Sequence, residues 1–311
     1  MPEAGHHFSA QIMKLDSNMF YILPATFAPM IIFFAAIFWD REQRKKSGKP
    51  PQAEKLLRPP GHSLALQLDK TIDSMMDGLL ASCAFSALAG SCVLSLSYLL
   101  AAGAPPRWWA VFVVPLALCV LVSALFAIKA WRRVKKVQRL KLGLRGEQAV
   151  AESLGETADS GFRAFHDLPG GENWNIDHVA VGTRGVFLIE TKTRRRRTGR
   201  NPQPAHEVVF NGDSLQFPAG KDTKSLKQAQ RNAAWLSNYL AKKTGDPVRV
   251  EPLVVLPGWF VRISEKGNFP VKAMNANYLA HYLSAQPEVM PPAQVRRIIT
   301  ALDEKCRDVE F

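Results

Sequence analysis

Asp177, Glu190 and Lys192 are the side chains whose types and spacing suit chemistry. Between Asn175 and Thr193, two alternating apolar runs flank Gly182, Thr183, Arg184 and Gly185. That pattern reads as a hairpin turning at Thr183 and Arg184. In this register Asp177 stands directly opposite Glu190. Lys192 lies two residues beyond Glu190 and shares its face, because strand side chains alternate. Facing Cβ atoms lie roughly 4.5–5.5 Å apart, and two carboxylates that close repel unless a cation sits between them. A hard dication, Mg²⁺ or Mn²⁺, is the natural occupant, with Lys192 beside it to lower the field or steer a water. A bulge would shift the register and undo the arrangement.

The competing reading is a surface hairpin whose acids are balanced by Lys192 and nearby arginines, since charged strand faces are usually just solvated. Three features favour a site. Asp177 and Glu190 interrupt strands otherwise made of Ile176, Val179 and Val181 and of Val186, Phe187, Leu188 and Ile189. The cations Arg194, Arg195, Arg196, Arg197 and Arg200 follow at once and suit a polyanion. A further acid, Glu147, and an amide, Gln228, fall on the helices expected on either side.

Those helices belong to a chain of alternating elements. Residues 143–154 read as a helix with Ala149, Val150 and Leu154 on one side, and 225–240 as another with Leu226, Ala229, Ala233, Leu236 and Leu240. Short strands are expected at 162–168, 176–181, 186–193, 208–210 and 248–256, and further helical pieces at 278–283 and 293–302. Strands interleaved with helices imply an α/β or α+β domain. His178 should point to the face opposite Asp177, outside the site.

Gly146-Glu147, then Ile176, Asp177 and His178, then Ile189, Glu190, Thr191 and Lys192, then Gln228 with Arg231 and Asn232, together resemble the nuclease-related domain (NERD) family of the PD-(D/E)xK phosphodiesterase superfamily. The resemblance covers about residues 143–260. It implies a mixed sheet flanked by helices, restriction-endonuclease-like. It also implies that Asp177 and Glu190 hold the metal and that Lys192 positions or activates the attacking water. Glu147 would support the metal through water, and Gln228 would line the site. The arginine run has no counterpart in the family pattern, and its role rests on charge alone.

The rest of the chain has a different composition. The 311 residues are 47% hydrophobic with a formal net charge of +13, but apolar residues crowd the part before about residue 130. Runs 20–39, 78–102 and 108–128 are each long enough to cross a bilayer, which takes roughly 20 apolar residues. The alternative for the first, a cleaved signal peptide, lacks the basic start and the small-residue cleavage site. Arg41, Arg44, Lys45, Lys46 and Lys49 follow run one, and Lys129, Arg132, Arg133, Lys135, Lys136, Arg139 and Lys141 follow run three. Cationic flanks stay cytoplasmic, which puts the N-terminus outside and the soluble part inside, at a plasma or cell inner membrane.

The expected organisation is a tail (1–19), a first membrane helix (20–39), a basic cytoplasmic linker (40–77) and two membrane helices (78–128). A juxtamembrane segment facing anionic lipid (129–142), the NERD-like domain (143–260) and its extension (261–311) complete it. The apolar spacing at 63–76 is helical and either lies along the inner surface or extends the second membrane helix. Cys83, Cys92, Cys119 and Cys306 form no CxxC pair and read as small hydrophobes. The expected function is a Mg²⁺-dependent endonuclease acting on DNA beside the bilayer. The alternative is a membrane tether that binds nucleic acid with weak or no catalysis.

Overall fold

In the computed structural model, residues 55–101, 109–171, 174–195, 206–265 and 267–309 are described, with isolated positions at 32, 35, 36, 39, 42, 43 and 103. The first apolar run lies largely outside the described residues, as do Arg196, Arg197 and Arg200. The chain divides into two compact units, Ile72–Val134 with the residues before 52, and Gln52–Thr71 with Lys135–Phe311.

In the first unit the continuous runs of described residues are two helical stretches. They belong to α1 (His62–Ala101) and α2 (Trp109–Gly155). Both helices are long and apolar enough to cross a membrane. Their apolar side chains stay open: Leu94, Val114 and Leu118 are 67%, 66% and 59% exposed. The stretches touch through stacked Phe85 and Phe126 and through Arg133 Nη1, which donates to the Ser74 carbonyl at 2.6 Å. Residues 63–76 continue α1 without a break. Residues 129–142 likewise join the third apolar run to the helix expected at 143–154, since no proline or turn signal interrupts them. Pro115 is the proline inside α2.

The second unit is a mixed five-stranded sheet with helices on both faces. Its strands are β2 (Arg163–Gly171), β3 (Trp174–Gly182), β4 (Gly185–Thr191), β8 (Val250–Val255) and β10 (Lys272–Met274). The spatial order is β10-β8-β4-β3-β2, antiparallel from β2 to β4 and parallel from β4 to β10. Val179, Val181, Val186 and Leu188 point to one face. They meet Leu226, Ala229, Leu236 and Leu240 of α3 (Lys224–Thr244) and Ile298 and Leu302 of α5 (Pro292–Cys306). Ala180, Phe187 and Ile189 point to the other, against Val150 and Leu154 of α2 and Leu279 and Leu283 of α4 (Ala276–Ser284). The period of two in β3 and β4 thus serves two separate apolar layers.

Smaller strands complete the unit. β5 (Glu207–Phe210), β6 (Leu215–Phe217), β7 (Gly220–Asp222) and β9 (Phe260–Ile263) form a second sheet in the order β7-β6-β5-β9. β1 (Leu56–Leu57) pairs with β11 (Arg307–Val309). None of β1, β6, β7, β9, β10 or β11 was expected from the sequence pattern; runs of two to four residues are too short to show a period. The stretch 55–71, expected to be part of a linker, packs within the α/β unit.

Candidate active site

The hairpin turns where the spacing indicated. Gly182↔Gly185, Val181↔Val186, Ala180↔Phe187, Val179↔Leu188 and His178↔Ile189 pair with no bulge. The ladder stops one residue short of Asp177 and Glu190. There the Asp177 carboxylate takes over, accepting the Thr191 backbone N–H at 2.7 Å. Glu190 is held from its other side, because β4 pairs there with β8 at Val254. It is 5% exposed.

Glu147 reaches the same place from α2 and is 6% exposed. The helix can come this close because the preceding residue is Gly146. A Cβ there would lie 1.9 Å from Thr193 Cγ2. A glycine inside a helix costs about 1 kcal/mol relative to alanine, and here it permits contact with the strand end that carries the site.

The groups lie close enough to act on one another's charge. Burial raises the Glu190 carboxyl well above the ordinary range, helped by the charge of Asp177 and opposed by Lys192 and the Gln228 amide. Burial pushes Glu147 up to about 9, with Asp177 and Asp167 adding to it. Asp177 rises to about 7 through burial, against the Thr191 N–H and Lys192. Lys192, half-buried, is therefore near enough to act on both strand acids, and Gln228 on α3 faces Glu190.

α3 is anchored by Asp222. Its Oδ1 accepts the N–H groups of Lys224 and Ser225, and its Oδ2 accepts the Ser225 hydroxyl. Arg194 completes that anchor, donating to Asp222 Oδ2 at 2.9 Å with its guanidinium 4.4 Å from the Phe217 ring centre. Arg195 is exposed and donates to Gln138 Oε1 at 3.1 Å.

One acid was missed from the sequence. Asp167 is fully buried and lies across from Asp177 in the β2–β3 register, between the pairs His166↔His178 and Leu168↔Ile176. Its φ of 50° is the one positive value at a non-glycine residue among those described. The rule that flagged Asp177, an acid interrupting an apolar strand, applies equally to Asp167. His178 pairs with His166 instead of the acids, with their Nδ1 atoms 2.8 Å apart. Burial depresses both rings, His166 to about 4.

A hard dication fits this donor set. Glu147 Oε2 and Glu190 Oε2 are buried without a hydrogen-bond partner, a costly state for a carboxylate unless a cation or a water completes it. Among the described residues no group of three or more His, Cys, Asp or Glu side chains is arranged to hold a metal unaided. Mg²⁺ does not need one, since it is usually bound by one or two carboxylates and keeps several waters.

Fold and site thus define an α/β domain with helices on both sheet faces and a carboxylate–lysine centre at the ends of two central strands. Residues 142–257 match the family model described as nuclease-related domain, NERD. That stretch contains Glu147, Asp177, Glu190, Lys192 and Gln228, and the mixed sheet with flanking helices is consistent with an α/β nuclease domain. Searches of curated proteins and of solved structures found no match.

Proposed function

We propose that this protein is a membrane-anchored, cytoplasm-facing, metal-dependent nuclease that hydrolyses phosphodiester bonds in DNA. The observation that carries the reading is the meeting of Asp177, Glu190, Glu147 and Lys192 inside the nuclease-related stretch, with two carboxylate oxygens left unpartnered. Asp177 and Glu190 would hold Mg²⁺ or Mn²⁺, which when bound polarises a phosphate oxygen and lowers the pKa of a water. The chain's own residues supply the rest. The Lys192 ammonium stabilises charge growing on the phosphate as the bond breaks. Glu147 and Gln228 orient the groups around it. Arg195, Arg196, Arg197 and Arg200 supply a sequence-independent grip on the phosphate backbone, whereas Arg194 holds Asp222 at the start of α3. The two apolar helices anchor the domain, and the basic residues 129–141, which follow the apolar run within α2, keep that end cytoplasmic beside anionic lipid.

The test is plasmid nicking by the full chain in detergent with Mg²⁺ or Mn²⁺, alongside Mn²⁺ calorimetry. Wild-type protein is expected to nick. Asp177→Ala and Glu190→Ala should lose most cleavage together with Mn²⁺ affinity. Lys192→Ala should lose cleavage but keep or strengthen Mn²⁺ binding, because a nearby positive charge is gone. Equal Mn²⁺ affinity in wild type and Asp177→Ala would remove the carboxylates as metal ligands. Nucleic acid retained without any cleavage would leave a membrane tether.

A further inference from the structure

Residues 55–63 lie outside the stretch that matches the nuclease-related family, yet they are built into the surroundings of the acidic centre. Leu56 and Leu57 pair with Val309 and Arg307, and the Arg58 N–H donates to the Cys306 carbonyl at 3.1 Å. The Arg58 guanidinium spans two acids. Nε and Nη2 donate to Asp308 at 2.7 and 2.6 Å, and Nη1 donates to Asp167 Oδ2 at 3.0 Å. Ser63 donates to the same Asp167 oxygen from its backbone N–H at 3.2 Å and its hydroxyl at 2.6 Å. Asn175 Nδ2 takes the other oxygen at 2.5 Å. Both oxygens of Asp167 are therefore engaged, and this buried charge is paired and hydrogen-bonded, as burial requires.

Between Arg58 and Ser63 the chain passes over Glu147 at Gly61. Its φ is +72°, and an added Cβ would lie 2.4 Å from Leu144 Cδ1 and 3.6 Å from Glu147 Oε2. Only a residue without a side chain passes this closely over α2.

We infer that residues 58–63 are a positioning strap of the acidic centre: Gly61 seats Glu147, and Arg58 and Ser63 hold the strap in place through Asp167. The inference rests on the metal-site reading above. Glu147 is expected to support the metal through water, so a contact that orients its carboxylate tunes the ion's affinity. Such outer contacts typically change affinity or activity by roughly 10–100-fold. The strap runs directly into the start of α1.

The experiment titrates Mn²⁺ into the full chain in detergent, with thermal unfolding and plasmid cleavage measured on the same samples. Gly61→Ala changes no charge and should weaken Mn²⁺ binding about tenfold, the lower end of that range, with kcat falling and KM for plasmid unchanged. Ser63→Ala removes one hydroxyl from Asp167 and should weaken it less; it serves if Gly61→Ala does not fold. Ile298→Val, a core change on α5 away from the strap, should lower Tm and leave Mn²⁺ affinity unchanged. Strap variants with wild-type affinity, or an affinity loss that simply tracks Tm across all three, would overturn the strap alone. Wild-type protein that binds no Mn²⁺ would overturn the metal-site reading and the strap with it.

Discussion

At the scale of single residues, burial, with the neighbouring charges adding to it, holds protons on the acidic centre. Asp177 and Glu147 have folded pKa values of about 7 and about 9 against ordinary values of 3.8 and 4.5. The folded state therefore holds protons that the unfolded chain has already lost. Their contribution to stability is complete at low pH and is lost as pH rises through 7 and then 9. His166 and His178 act with the opposite sign. Their depressed values make stability fall as pH drops below about 6.5, the unfolded histidine value. Above pH 6.5 the carboxylates dominate the pH dependence. We expect the Tm of the full chain in chelator to fall from pH 7 to 9, Asp177→Asn to flatten the part near 7, and saturating Mn²⁺ to suppress the decline. A metal-free Tm that rises over that range would mean that the acids are already ionised and compensated.

At the scale of elements, the centre depends on how closely α2 lies on the end of β4. Gly146 permits that approach, so Gly146→Ala sets two effects in opposition. Helix propensity gains about 1 kcal/mol. Overpacking a filled contact typically costs about 1–3 kcal/mol, and a Cβ 1.9 Å from Thr193 Cγ2 lies at the costly end. We expect a net loss of up to about 2 kcal/mol on those two figures, with a larger fall in cleavage because Glu147 moves with the helix. Thr193→Ser removes the methyl group that the new Cβ would meet. The double variant should recover stability and most activity in a thermal melt and a nicking assay. No recovery would place the clash elsewhere.

At the scale of the whole molecule, we propose that the two apolar helices and the cations at 129–141 set which side of a bilayer the nuclease-related unit faces. Both helices expose Leu and Val along their length, which water disfavours and lipid does not. The seven lysines and arginines between 129 and 141 include no acid among them. A reporter enzyme active only outside the cytoplasm, fused after Phe311, is expected to stay silent. Strong signal would reverse the orientation and remove cytoplasmic DNA as the substrate.

The hairpin was legible in the sequence because its information is local. Period-two alternation and a two-residue turn at Thr183 and Arg184 are enough to bring Asp177 toward Glu190, and the observed pairing follows that register to His178↔Ile189. The helix carrying Gln228 was legible for the same reason, its apolar side recurring at helical spacing. What pairs with Asp167 was not legible. Arg58 and Ser63 are 109 and 104 residues away from it in sequence, and no periodic signal links such positions. Nor does a run of arginines reveal that Arg194 is drawn to Asp222. Tertiary structure decided these matters, because a buried charge must find its partner wherever the folded chain brings one. Here that partner came from a segment whose composition read as linker.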